Sequence, residues 1–235
     1  MSYRRTIAAL VPYMRLLALL FVFATAALGA VPPELETALK TFRSDAPRGW
    51  SFTQTTVAEG KSTVEHSNAA KPEFDRWTLV QVDGRVPTSD ELTRYAENRS
   101  RRSRTGTAPK IIEQFDLPTL ETMSDTAERG VYRFALRPGE ASDKTAAFLR
   151  ATVTLHKPTQ TIESIELANI AEFSPTLGVK ILELRTAMAY SLPHGDTPTL
   201  PQKVTTRQRG TAFWFKTLDA EMTVTFSDYV RAGKK

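Results

Sequence analysis

The sequence predicts a mainly β fold: one large antiparallel sheet, curled, with a helix or two against its concave side. Two observations lead there. From Trp50 to Tyr229, about ten short segments alternate apolar and polar residues with the period of two that half-buried strands show. Turn signals separate these segments at hairpin-like spacing, a pattern that suits antiparallel neighbours over parallel ones.

The chain opens with Arg4 and Arg5, and Arg15 precedes an apolar run from Leu16 to Leu28. Small residues close the run, and Pro32-Pro33 follow. A basic start, a short apolar core and a small-residue exit are the marks of a secretory signal peptide. Residues 1–30 are therefore expected to be a cleaved signal, with cleavage after Ala30, Gly29 or Ala26. An uncleaved anchor is the alternative, opposed by a run well short of the roughly twenty residues that span a bilayer. The expected location is the periplasm.

Without residues 1–30 the balance changes. Three basic and no acidic side chains leave with the signal, so 28 Lys and Arg face 26 Asp and Glu, a net of +2 in place of +5. That near-neutral balance removes the best support for nucleic acid as a partner. Residues 31–235 suffice for a single domain with a sizeable core. The chain has no cysteine, which excludes disulfides, thiolate metal sites and cysteine nucleophiles.

A helix is predicted over Glu34 to Arg43, where Leu35, Ala38, Leu39 and Phe42 form one stripe. Strands follow at Trp50 to about Val57, Ser62 to Ser67 and Phe74 to Val82, with turns at Gly60-Lys61 and Asp83-Gly84. In the third of these, Trp77 and Leu79 take one face, and Thr78, Val80 and Val82 the other. Thr88-Ser89-Asp90-Glu91 then has capping-box spacing, which predicts a helix from Ser89 to about Ser103 within a basic insertion near residues 88–106. Leu92, Tyr95 and Ala96 form a narrow apolar stripe on it. Arg94, Arg99, Arg101, Arg102 and Arg104 form its polar face. Ile111 to Met123 is read as a short helix interrupted by Pro118. The remainder reads as strands: Val131–Leu136, Phe148–His156, Thr161–Ile170, Leu177–Tyr190 (a pair or one bent strand), Val204–Gln208, Thr211–Lys216 and Glu221–Tyr229.

No catalytic motif stands out. His66, His156 and His194 lack the spacing that puts two imidazoles on one helical face. There is no GxSxG elbow and no Walker or GxGxxG loop. The arginine cluster at 94–104 is read three ways: a solvated helix face, a contact with anionic lipid or a membrane protein, or a nucleic-acid contact that export and near-neutral charge both oppose. Large apolar side chains on the strands (Trp50, Phe52, Trp77, Phe134, Trp214 and Phe226) are core in any β protein. In a curved sheet that helices cover incompletely, some of them would instead line a pocket for acyl chains.

Four segments carry a family resemblance: Leu35-Glu-Thr-Ala-Leu-Lys, Trp50-Ser-Phe-Thr-Gln-Thr, Lys71-Pro-Glu-Phe-Asp-Arg-Trp77 and Val82-Asp-Gly84. In order and spacing, over residues 35–84, the chain resembles the LolA family of periplasmic carriers of outer-membrane lipoproteins. The resemblance implies an unclosed β-barrel with helices lidding an apolar cavity. It also implies a lid contact at Lys71, where the family carries an arginine. Lysine lacks the planar multi-donor fork of arginine. That departure, with the Ser89–Ser103 helix, leaves the cargo open between lipoprotein and another lipid or lipopeptide.

The expected function is therefore a monomeric, non-enzymatic carrier of lipid or lipoprotein acyl chains, with no cofactor and no metal. Phe52, Trp77, Phe134, Leu155, Trp214 and Phe226 are expected to line the cavity, with Lys71 at the lid. The alternatives are an envelope interaction or sensor module that meets a membrane-protein partner through the arginine face, and a secreted hydrolase.

Overall fold

The structure, a computed structural model, describes residues 31–102, 111–139, 145–213 and 215–233. The expected signal peptide, Arg104 and Trp214 lie outside the described residues, and so do the side chains of Arg101 and Arg102.

Among the described residues eleven strands build one sheet. They are β1 (Trp50–Ala58), β2 (Lys61–Ser67), β3 (Trp77–Val82), β4 (Phe115–Asp125), β5 (Arg129–Leu136), β6 (Leu149–His156), β7 (Thr161–Asn169), β8 (Val179–Tyr190), β9 (Pro201–Ala212), β10 (Lys216–Thr217) and β11 (Ala220–Arg231). The spatial order is β3-β2-β1-β11-β9-β8-β7-β6-β5-β4, with the two-residue β10 folded back on β9. Every pairing is antiparallel. β3 and β4 are the two edges and do not pair, so the sheet stays open. The expected mainly β architecture, an antiparallel sheet not closed into a barrel with two helices, is what the structure shows. The segment between β3 and β4 runs from one edge of the sheet to the other and carries the second helix.

Helix α1 (Pro33–Thr41) starts with proline in its first turn, where the missing N–H would have had no partner. Its stripe is the expected one. Leu35, Ala38 and Leu39 are buried, and Phe42 just beyond packs edge-on against Tyr190 at 5.0 Å. Beneath α1 lie the inward residues of β4 to β7: Phe115, Tyr132, Phe134, Ala151, Val153, Leu155, Ile162 and Ile165, all almost fully buried. Strict alternation along β6 buries Leu149, Ala151, Val153 and Leu155 and leaves Arg150, Thr152 and Thr154 on the other face. The Phe115 and Phe134 rings stack at 5.3 Å.

The structure corrects the reading of Ile111 to Met123. Only Ile111–Gln114 is a short helical turn, and Phe115 to Asp125 is the edge strand β4. Its pairing with β5 jumps from Asp116 to Glu121. Pro118 sits inside that bulge, where the ladder asks no N–H of it. The Thr119 hydroxyl takes over, accepting the Ala135 N–H at 2.8 Å. This wide bulge erases the alternation that would have marked a strand. β9 is likewise continuous through residues read as two strands.

Bulges also set which side chains reach the inner face. The β2–β3 register shifts at Val64/Glu65, so Val82 pairs with Thr63 and leaves the phase it was expected to share with Val80. Asp228, at φ +54°, lies opposite the shift between Ser51 and Thr53, which lets Tyr229 face the same side as Phe226.

Candidate functional site

Cross-strand register fixes what shares the inner face over the β3-β2-β1-β11 half. Phe52 lies opposite Ser67, which lies opposite Trp77. Gln54 lies opposite both Glu65 and Phe226. These pairs bring three rings together around Phe52: Trp77 edge-on at 5.4 Å, Phe226 at 5.9 Å and Tyr229 at 5.5 Å. Phe52 at the centre is buried, whereas Trp77, Phe226 and Tyr229 are half-exposed. Burial raises the pKa of the Tyr229 phenol, so it stays protonated and donates to the Pro201 carbonyl at 2.7 Å. Beside the rings, the Gln54 amide donates to the nearly buried Glu65 carboxylate at 3.1 Å and to the Thr56 hydroxyl at 3.3 Å.

Beside this floor, helix α2 (Ser89–Arg102) brings Arg99 to Trp77. Its N-terminus forms a reciprocal capping box. The Glu91 N–H donates to the Thr88 hydroxyl at 3.3 Å, and the Thr88 N–H donates to Glu91 Oε2 at 2.8 Å. Arg85 grips the same carboxylate with two nitrogens at 2.7 and 2.9 Å. That grip is the first cause of the drop in the Glu91 pKa to about 2, and the Thr88 N–H adds to it.

The less exposed residues of α2 are Glu91, Tyr95 and Arg99, spaced four apart on one face. Leu92 and Ala96 are exposed. The expected stripe is therefore shifted, and Arg99 belongs to the sheet-facing side. Its guanidinium lies 4.4 Å from the centre of the Trp77 ring. Arg94 remains on the outer side, with its Nε donating to the Asp90 carbonyl.

The expected cavity residues divide. Phe52, Trp77 and Phe226 come together. Phe134 and Leu155 share their sheet phase but lie in the packed core under α1. Tyr229 and Arg99 complete the cluster and were missed: a bulge hides the phase of the first, and the charge of the second reads as a solvent face. Lys71 is exposed in the loop before β3, its ammonium 3.9 Å from Asp75.

Two surface concavities lie elsewhere. One of about 530 Å³ is lined by Val57, Arg207, Arg209, Asp219 and Glu221 among others, a mixed-charge rim unsuited to an acyl chain. Another of about 250 Å³ lies between the end of α1 and the β6–β7 turn. The three histidines sit on separate elements: His66 in β2, His156 at the end of β6 bonded to Thr159 at 2.7 Å, and His194 in the loop before β9. Among the described residues no cluster of His, Asp and Glu is arranged to hold a metal ion, and no helix is long and apolar enough to cross a membrane.

No family model matches the chain, and no curated protein matches it. Among solved structures it is similar to a domain from Vibrio parahaemolyticus named for outer membrane lipoprotein sorting. Identity is 9%, with 86% of this chain and 93% of that chain covered, at a TM-score of 0.36. A GphF dehydratase variant is 11% identical over 85% of this chain and 81% of that one, at a TM-score of 0.18. The fold class rests on the strand order itself.

Proposed function

We propose that this protein is a periplasmic carrier that takes acyl chains of a lipid or lipoprotein between the open β1–β3 side of the sheet and helix α2. The observation that carries this reading is the aromatic floor of Phe52, Trp77, Phe226 and Tyr229, with Arg99 of α2 in a cation–π contact on Trp77.

Magnitudes identify which helix moves. Each buried leucine of α1 contributes about 1.5–3 kcal/mol, and α1 buries two of them together with Ala38. A cation–π contact contributes about 0.5–2 kcal/mol. In this reading α1 is a fixed part of the core, and α2, which places no residue in the buried core among the described residues, is the lid. An acyl chain entering under it gains about 0.8 kcal/mol for each methylene buried, so a few methylenes outweigh the contact they displace. Because burial is non-directional, the site needs no charged anchor. The expected export signal puts the carrier where such chains cross between membranes.

Displacement of a fluorescent fatty-acid probe tests the reading. Trp77→Asp, in a variant that keeps the native circular-dichroism spectrum, is expected to abolish probe binding. A folded Trp77→Asp protein that binds the probe with unchanged affinity would remove the floor from the mechanism.

A further inference from the structure

The loop between β7 and β8 and the turn between β9 and β10 meet at one end of the sheet. The Phe213 N–H donates to the Gly178 carbonyl at 2.6 Å. Gly178 has φ +78°, and a Cβ there would lie 3.0 Å from the Phe213 ring. This close, left-handed approach requires glycine. Hairpin turns favour Gly, Asn and Asp, which solvate readily and tolerate positive φ. Here the turn begins and ends with phenylalanine, and Phe213 itself is held at φ +49°.

These two tips thrust apolar side chains into solvent. Leu177 is 96% exposed, Phe215 85% and Phe213 62%. Leu177 and Phe215 at these values have almost no protein neighbour and Phe213 rests on Gly178, so the side chains form a protrusion and not the wall of a groove. Its base is rigid. Phe173 and Ile181 exchange backbone hydrogen bonds at 3.1 and 2.8 Å, and Phe148 stacks on Phe173 at 5.4 Å in a second small core. Around the base, Lys216 and Arg209 are exposed cations. Of the acidic neighbours, Glu172 pairs with Lys180, Asp219 accepts the Gly210 N–H, and Glu221 lies on the concavity that Arg209 also lines.

We infer that Leu177, Phe213 and Phe215 form a wedge that enters the interfacial layer of a lipid bilayer, with Lys216 and Arg209 against its anionic headgroups. Leucine and phenylalanine at an apex with basic residues behind it is the composition of interfacial anchors, which sink about 5–10 Å into the headgroup and acyl boundary. A convex apolar apex suits a fluid acyl phase, which needs no matching pocket. The wedge lies at the opposite strand ends from the Phe52 floor, so docking is separable from cargo binding and does not rest on it.

Flotation of the full chain with vesicles of phosphatidylethanolamine and phosphatidylglycerol tests this, compared with Leu177→Ser/Phe215→Ser. The wild-type protein is expected to float, and the double variant to partition at least roughly tenfold more weakly. Thermal melting and fatty-acid-probe binding should be unchanged, which separates this proposal from the carrier reading. Flotation equal in both proteins, or absent in both, overturns the wedge. So does a wild-type dimer in sedimentation that the double variant abolishes, since the apex would then belong to a second copy of the chain.

Discussion

The two halves of the sheet share one inner face but solve its burial differently. From β4 to β7 the inward side chains are almost all aliphatic or aromatic, and α1 seals them with three buried residues of its own. From β11 through β1 to β3 the same face mixes Phe52, Trp77 and Phe226 with Gln54, Thr56, Glu65 and Ser67. There α2 meets it through the long side chain of Arg99. One half is a core. The other is left partly exposed, and in the carrier reading proposed above it is the site.

The contrast can be broken at the core first. Phe134→Ala, beneath α1, is expected to destabilise the protein by about 3–5 kcal/mol, read as a large fall in Tm. Leu35→Ala should cost about 2–5 kcal/mol by the same cavity argument. If either changes stability by less than a surface substitution, the two halves do not differ as described.

A smaller effect is expected at Gly210, where a Cβ would lie 2.4 Å from the Lys180 carbonyl oxygen. That contact is backbone against backbone, so Gly210→Ala must shift the β8–β9 ladder. A loss of about 1–3 kcal/mol in denaturant unfolding is expected.

On the other half, Arg99→Ala removes the contact with Trp77. Global stability should fall by no more than about 2 kcal/mol. Hydrogen exchange should nevertheless accelerate across α2 and stay unchanged in α1. Equal acceleration in both helices would mean that α2 is not independently held.

The smallest effect concerns the start of α2. The folded pKa of Glu91, about 2, lies below its ordinary value of 4.5. The carboxylate's support of the helix is therefore complete above that ordinary value and is lost as pH falls through about 2. Amide exchange at Thr88 and Glu91 should stay protected on acidification to about pH 4 and rise only below it. Arg85→Ala should move that rise to higher pH.

Why one half could be read from the sequence and the other only in part has a physical basis. Residues Leu35, Ala38, Leu39 and Phe42 announce α1 because an apolar helix face repeats locally. Phe134 and Phe52 are equally clear as inward strand residues. Strand phase, however, reports only which face a side chain takes. Which of those residues a helix seals is set by contacts distant in the chain, so Phe134 and Leu155 could not be told apart from Phe52 and Trp77. Bulges defeated the alternation at Pro118, Val82 and Tyr229. Arg99 was misplaced because a long cationic side chain can cover a ring while its charge reads as solvent-facing.

The most direct measurement uses the three tryptophans. With Trp50→Phe and Trp214→Phe, Trp77 becomes the one fluorophore of its kind, and a brominated fatty acid quenches it only on close contact. The carrier account predicts saturable quenching by the brominated chain, none by its unbrominated counterpart, and loss of the effect when unlabelled lipid competes. Binding of the fatty acid with Trp77 fluorescence unchanged, or no binding at all, would contradict it.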